Sequence, residues 1–268
     1  MDVRTLKLKN EREGKFYENS YGEKFLVLEY SDYYNVKVRF ENGYERIICW
    51  QQIEFKNCIT PYTKTVCNIG YLGEGKYNPN DYKKIYKIWK AMIERCYKDF
   101  KRGVSPTYEN CFIEDYLLNF QNYAEWYINN RYDCNGEEME LDKDILEKGN
   151  KMYDREHMIF VPKRINQLFN KRQNCRGEYP IGVYLRKATT KNRRKEDVLT
   201  VQCNIIDVNG NIKKKHLGYF PLNKPFQAFY TYKIFKENYI KQVADEYKDI
   251  IPQKLYEALY KYEVEIND

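Results

Sequence analysis

The chain has 268 residues, 43% of them hydrophobic and 32% charged, which suits one large or two to three small folded domains and excludes an extended disordered segment. No run approaches the roughly 20 apolar residues of a membrane helix, the start Met1-Asp2-Val3-Arg4-Thr5-Leu6-Lys7 has no apolar signal region, and the eight cysteines stand singly, so membrane insertion, secretion, a disulfide framework and a zinc site are not expected. Net charge is +7, but Lys163 to Lys241 carries 18 Lys/Arg against 5 Asp/Glu, a local +13 that leaves the remainder near −6 and points to a polyanion held by one region.

Residues 13–58 predict a small β unit. Lys24–Tyr30 and Val36–Phe40 are strand-like, the second with clean alternation. Glu41-Asn42-Gly43-Tyr44 forms the turn, because Asn-Gly supplies the positive-φ positions of a tight hairpin. Ile47-Ile48-Cys49-Trp50 makes a third strand, and a partly open barrel over 1–60 is expected. Pro61, Pro79 and the glycines at 70, 73 and 75 mark 61–80 as a linker or loop-rich connection. Asn80 or Asp81 is placed to cap a helix over 82–97, with Ile85, Trp89, Met92 and Cys96 on one face. A second helix is expected over 112–129, with Tyr116, Phe120, Tyr123, Ala124 and Tyr127 as core.

A strand at Met139-Glu140-Leu141, a Gly149-Asn150 turn, a strand at Ile159-Phe160-Val161 and a helix over 163–170, opened by Pro162, follow in order. After the basic stretch 171–177 come three short strands: Ile181–Arg186, Val198–Ile205 and a third through His216-Leu217-Gly218-Tyr219-Phe220. Pro225 opens a helix and Pro252 a last short one over 253–261. The expected class is α+β: a β unit over 1–60, a linker over 61–80, a ββα unit with flanking helices over 81–172, and a three-stranded sheet plus helix and helical tail over 173–268.

Leu141-Asp142-Lys143-Asp144, Tyr153, Phe160-Val161-Pro162 and Ile165-Asn166 lie downstream of Trp89, Met92, Arg95-Cys96-Tyr97, Cys111, Phe120 and Trp126. That ordered set resembles the HNH endonucleases, especially phage-type members. The resemblance implies an endonuclease in which Asp142 is the acidic metal ligand closing the first strand and Asn166 the ligand on the helix. Asp144, two residues on, is expected on the same strand face and within reach of the ion. Oxygen donors of this kind suit Mg²⁺ or Mn²⁺. Lys143 departs from the pattern, since the family places its general-base His there. An ammonium does not readily accept a proton near pH 7, and losing a general base costs about 10²–10⁴ in rate. Two substitutes are expected: His157 swinging in from the loop, or Lys143 holding a phosphate while metal-bound water attacks.

In the third unit, alternation sends Val183 and Leu185 inward and Tyr184 and Arg186 outward. Val201, Cys203 and Ile205 face inward, Thr200, Gln202 and Asn204 outward. Leu217 faces inward, Lys214 and His216 outward. Arg, Gln and Asn on one face suit base edges in the major groove, which is about 12 Å wide and admits a β-ribbon. Arg193, Arg194 and Lys195 in one hairpin, and Lys213, Lys214 and Lys215 in the next, suit phosphates. Gly182-Val183, Arg186, His216-Leu217-Gly218-Tyr219-Phe220 and Ala228-Phe229 resemble the plant ethylene-response (APETALA-type) DNA-binding domain, which also occurs beside phage and homing HNH nucleases. His216 replaces that family's aromatic before Leu-Gly, and the Trp that opens its second strand is missing.

Double-stranded DNA is therefore the expected partner, with sequence preference from the sheet and metal-dependent cleavage or nicking at the ββα unit. A DNA-binding regulator without catalysis, and a phage counter-defence protein acting on a host nucleoprotein, are the alternatives. The resemblances imply a phage-encoded protein in the cytoplasm of a bacterial host.

Overall fold

The computed structural model describes residues 3–98, 108, 110–170, 178–188 and 196–268. The class is α+β. Two compact units divide the chain, Met1–Asn129 and Asn130–Asp268.

The first unit opens with helix α1 (Val3–Arg12) and an antiparallel sheet ordered β1 (Phe16–Glu18), β2 (Lys24–Tyr30), β3 (Val36–Phe40), β4 (Glu45–Ile48). Strand β3 alternates as its sequence does: Val36, Val38 and Phe40 are buried, Lys37 and Arg39 exposed. Gly43 takes φ +85° in the β3–β4 turn, a conformation that costs glycine little. Phe25, Val27, Tyr30, Val36, Val38, Phe40, Ile48 and Trp50 form the core. Arg12 closes one end, its guanidinium 3.7 Å from the Trp50 ring centroid and bonded to the Tyr30 hydroxyl at 2.8 Å. In place of the expected barrel there is an open sheet, gaining β1 as a fourth strand at its edge. The short helix α2 (Trp50–Glu54) follows.

The 61–80 stretch is irregular but packed. Val66 and Tyr77 are buried, and a Cβ on Gly70 would lie 2.5 Å from Ile93. Helix α3 (Lys83–Tyr97) buries Ile85, Trp89, Met92, Ile93 and Cys96, but its N-cap is Tyr82 without a side-chain cap bond, rather than Asn80 or Asp81. The single helix expected over 112–129 is three pieces: strand β5 (Phe112–Ile113), a 3₁₀ turn (Asp115–Leu118) and helix α4 (Phe120–Asn130). The break has a purpose in packing, because the Leu117 carbonyl accepts the Trp89 indole N–H at 2.8 Å. Tyr116, expected in the core, is 40% exposed.

The second unit carries both candidate sites. Strand β6 (Met139–Asp142) pairs antiparallel with β8 (Ile159–Pro162), joining Asp142 to Ile159 and Glu140 to Val161. Strand β7 (Met152–Tyr153) lies in the intervening loop, and helix α5 (Lys163–Gln167) follows β8 directly. Then come β9 (Val183–Arg186), β10 (Val198–Ile206) and β11 (Ile212–Phe220), in antiparallel order β11-β10-β9. Helix α6 (Pro225–Glu246) covers one face, where Val183, Leu199, Val201 and Cys203 meet Ala228, Phe229 and Tyr232. Gly182, at φ +79°, admits the Tyr232 ring so closely that a Cβ would lie 2.1 Å from it. Helix α7 (Gln253–Lys261) completes the chain's regular structure.

Buried Arg164 ties α5 to the sheet and to α6. Its Nε donates to the Ile206 carbonyl at 3.1 Å and its Nη1 to Glu246 at 2.5 Å. Arg164 is buried while Glu246 is exposed, so removing the carboxylate is destabilising because it leaves the guanidinium desolvated and unpaired. The ββα element and the three-stranded sheet therefore share a framework within this unit.

Candidate nucleic-acid interface and ββα site

Asp142 ends strand β6. Its Oδ1 accepts the backbone N–H groups of Asp144 at 2.9 Å and Ile145 at 2.7 Å, an Asx turn that stops the strand. Burial, and then the neighbouring Asp144 carboxylate, push the Asp142 pKa up to about 6 against the pull of those two N–H groups. The period-two argument that placed Asp144 beside Asp142 fails because the strand stops there. The turn brings Asp144 close by another route, with its carboxylate more exposed.

Lys143 is turned inward and is 5% exposed. Its Nζ donates to the Asn150 carbonyl at 2.6 Å and to Asp144 at 3.3 Å, and lies 5.9 Å from the Tyr153 ring centroid. The Asn150 amide returns the bond to the Lys143 carbonyl at 2.7 Å. A lysine available to a phosphate is thus corrected to a lysine that braces its own loop. The reason is local: with the strand ended, this side chain finds a carbonyl seven residues on.

His157 is also held. Its Nδ1 lies 2.8 Å from Asp154 and its Nε2 3.0 Å from Glu147. The bond to Asp154 is the main reason that its pKa rises above that of an ordinary histidine. Burial opposes ionisation of Asp154, yet the ring and the backbone N–H groups of Glu156 and His157 keep its carboxyl below the usual range. An imidazole bridging two carboxylates favours the cation, and in this structure His157 clamps the loop rather than reaching towards Asp142.

Asn166 projects from α5 onto Glu140, its amide donating at 2.5 Å. Glu140 and Asp142 share one face of β6, so Glu140 joins the candidate group although the sequence reading passed over it. Its signal was available in the same alternation. Among the described residues no three His, Cys, Asp or Glu side chains converge as a metal cluster. Asp142 and Asp144 still fit a hard cation. Mg²⁺ is commonly held by one or two carboxylates, with waters and substrate phosphates completing the shell, and a cation would relieve the Asp144 repulsion that adds to burial in raising Asp142.

On the sheet, Arg186, Asn204, Lys214 and His216 are exposed on the face opposite α6, and Gln202 is half-buried between them. Register aligns Tyr184 with Thr200, Gln202 with His216 and Asn204 with Lys214. The side chains of Gln202 and Asn204 make no hydrogen bond, and Lys214 no ion pair, among the described residues.

Four expectations change here. Leu185 is 41% exposed, because β9 is an edge strand that α6 covers only in part. Thr200 is 6% exposed, walled by Tyr184 on one side and Tyr219 on the other. Lys215 lies over the Phe235 ring at 4.8 Å, on the helix side. Lys213 reaches Asp207 at 3.6 Å. Of the three consecutive lysines, Lys214 alone shares the face with Asn204 and His216. Arg193, Arg194 and Lys195 lie outside the described residues.

Tyr219 is the sheet residue that sequence reasoning missed. Regular alternation puts it on the side of Leu217, towards the helix. A β-bulge opposite Val201 and Gln202 leaves Leu217 as the extra residue, pairing Val201 with Gly218 and Gln202 with His216. Bulges re-aim side chains in this way. Tyr219 and His216 consequently meet on the outer face, ring centroids 4.3 Å apart, and Arg186 donates to the Tyr219 hydroxyl at 2.6 Å. Gly218, at φ +150°, was the available sign of an irregular strand.

No protein-family model, no curated protein and no solved structure matches this chain. Among the described residues, no helix is long and apolar enough to cross a membrane.

Proposed function

We propose that the second unit binds duplex DNA with sequence preference through the outer face of β9, β10 and β11. The observation that carries this reading is one face presenting Arg186, Gln202, Asn204, Lys214 and His216 with no covering helix or strand among the described residues, in the most basic part of the chain. Arginine matches guanine, and asparagine or glutamine matches adenine, at major-groove edges. Lys214 supplies a phosphate contact. The test is fluorescence anisotropy of the full chain with random and selected duplexes over a salt series. Affinity should fall steeply as salt rises, as counterion release requires. A shallow slope, or equal affinity for a neutral polymer, would remove the reading.

A second reading is phosphodiester cleavage at the ββα element, supported by the Asp142–Asp144 pair at the end of β6. Bound Mg²⁺ or Mn²⁺ would supply a Lewis acid at the scissile phosphate. Asp142 and Asp144 would hold it, with Glu140 and Asn166 fixing the strand against the helix. Since Lys143 and His157 are engaged elsewhere, turnover by this route is slow. Supercoiled plasmid with Mg²⁺ or Mn²⁺, compared with Asp142→Asn, tests it. Nicking that survives the substitution, or no nicking at all, leaves DNA binding alone. A partner retained from host lysate after nuclease treatment would favour a host protein instead.

A further inference from the structure

The outer face of the sheet contains one contact that spans all three strands. Arg186 belongs to β9 and Tyr219 to β11, yet Nη1 of the first and the hydroxyl of the second are 2.6 Å apart. The arginine side chain therefore reaches across β10, from a backbone position opposite Val198 to a tyrosine whose register partner is Thr200. Thr200 is small, and its hydroxyl is buried with no hydrogen-bond partner. The Tyr219 ring is braced in turn by His216, and the guanidinium carbon sits 5.6 Å from the Tyr219 centroid.

We propose that Tyr219 is the positioning residue that aims Arg186 at a base edge, an inference that rests on the duplex-binding reading. An exposed arginine samples many rotamers, and freezing a rotamer-rich side chain on binding lowers affinity by roughly 2- to 10-fold. The phenol oxygen accepts one N–H and leaves the rest of the planar fork available. A guanine O6/N7 pair needs two of those donors. The tethered guanidinium lies over the middle strand rather than beyond the β9 edge, where it faces the same partner as Gln202 and Asn204. Tyr219 thus acts through Arg186 and sets selectivity at the base pair that Arg186 reads. The bulge at Leu217 is what makes this possible, since a regular strand would turn the phenol towards α6.

The test uses the full chain, a selected duplex and a panel carrying each base pair replaced in turn. Arg186→Ala should flatten selectivity at one position by roughly 10- to 100-fold. Tyr219→Phe keeps the ring against His216 and removes only the acceptor. It should lose roughly 2- to 10-fold of selectivity at that same position, with the salt slope unchanged. The double variant should be no worse than Arg186→Ala. Relaxation of the Arg186 Nε–H in the free wild-type protein gives a second readout: an ordered guanidinium that Tyr219→Phe releases. Loss at a different position, full retention of selectivity in Tyr219→Phe, or an Arg186 as mobile in the wild type as in Tyr219→Phe would overturn the inference while leaving DNA binding intact. A wild type that selects no duplex would remove the parent reading and this one with it.

Discussion

The outer face of the sheet and the loop between β6 and β8 lie in one unit and carry polar side chains of similar kinds, yet they treat them in opposite ways. On the sheet, Gln202 and Asn204 make no side-chain hydrogen bonds and Lys214 no ion pair among the described residues, and β10 is paired with a strand on each side. In the loop, Lys143 is bound to Asn150, and His157 to Asp154 and Glu147. A strand projects alternate residues outward whether or not they find partners. The sixteen-residue connection from β6 to β8, with only the two-residue β7 inside it, has little such scaffold and uses its own charged groups to hold its shape. The contrast teaches that residue type alone does not identify an interaction site. What matters is whether backbone geometry has already satisfied the fold without that side chain.

The largest expected departure from this contrast is at Asp142, whose Oδ1 caps the turn after β6 while burial and Asp144 disfavour its ionised form. Its raised pKa means that ionisation disfavours the folded state. Stability from this group is greatest below the ordinary carboxylate pKa and falls as pH rises towards about 6. Asp142→Asn should accordingly raise stability at pH 8 by up to about 3 kcal/mol, measured by urea denaturation, with little change near pH 3. Mn²⁺ should stabilise the wild type at pH 8 and not the variant. If the variant is destabilised at pH 8, Asp142 is a structural group like its neighbours.

Next in size, Arg186→Ala should cost about 1–3 kcal/mol of discrimination at one base pair, read from competition binding. A uniform loss across all sequences would make the arginine a phosphate contact. The three consecutive lysines sharpen the comparison within a single strand. Lys214→Ala should reduce the slope of log affinity against log salt by about 1, whereas Lys215→Ala, over Phe235, should reduce it less. Equal effects would mean that the two faces of β11 are not distinguished in solution.

The smallest effect is at His157. A raised folded pKa stabilises the protein below the histidine's ordinary value, and that contribution disappears as pH climbs through the raised value. His157→Ala should lower stability at pH 5.5 by no more than about 1 kcal/mol, discounted for a partly exposed pair, and have no effect at pH 9. A loss as large at pH 9 would show that ring packing, not charge, holds the loop.

Much of the architecture was legible because alternation and turn chemistry are local. Val36–Phe40 announced its buried face, and the three C-terminal strands lie close to where their β-branched residues place them. Pro225 and Pro252 marked helix starts. The failures have a common physical form. Period two was carried through Asp142 into a turn, and the alternation of the third strand was followed only as far as Leu217, short of the bulge that re-aims Tyr219. Aromatic spacing over 112–129 suggested one helix, while the Trp89 indole required a carbonyl that a continuous helix would have used internally. The burial of Thr200 depends on tyrosines from two other strands, and that of Lys143 on a carbonyl seven residues away. None of these is a property of the residue itself.

The extra residue at Leu217 has one more consequence. It lets the two halves of β11 point His216 and Tyr219 to the same side although three positions separate them. Local twist in that ribbon is accordingly stronger than a regular pairing would allow. A chain shortened by this one residue would keep the same chemical lettering on its outer side but lose the coil. Shape and alphabet are thus separately adjustable in this strand: one by length, the other by substitution.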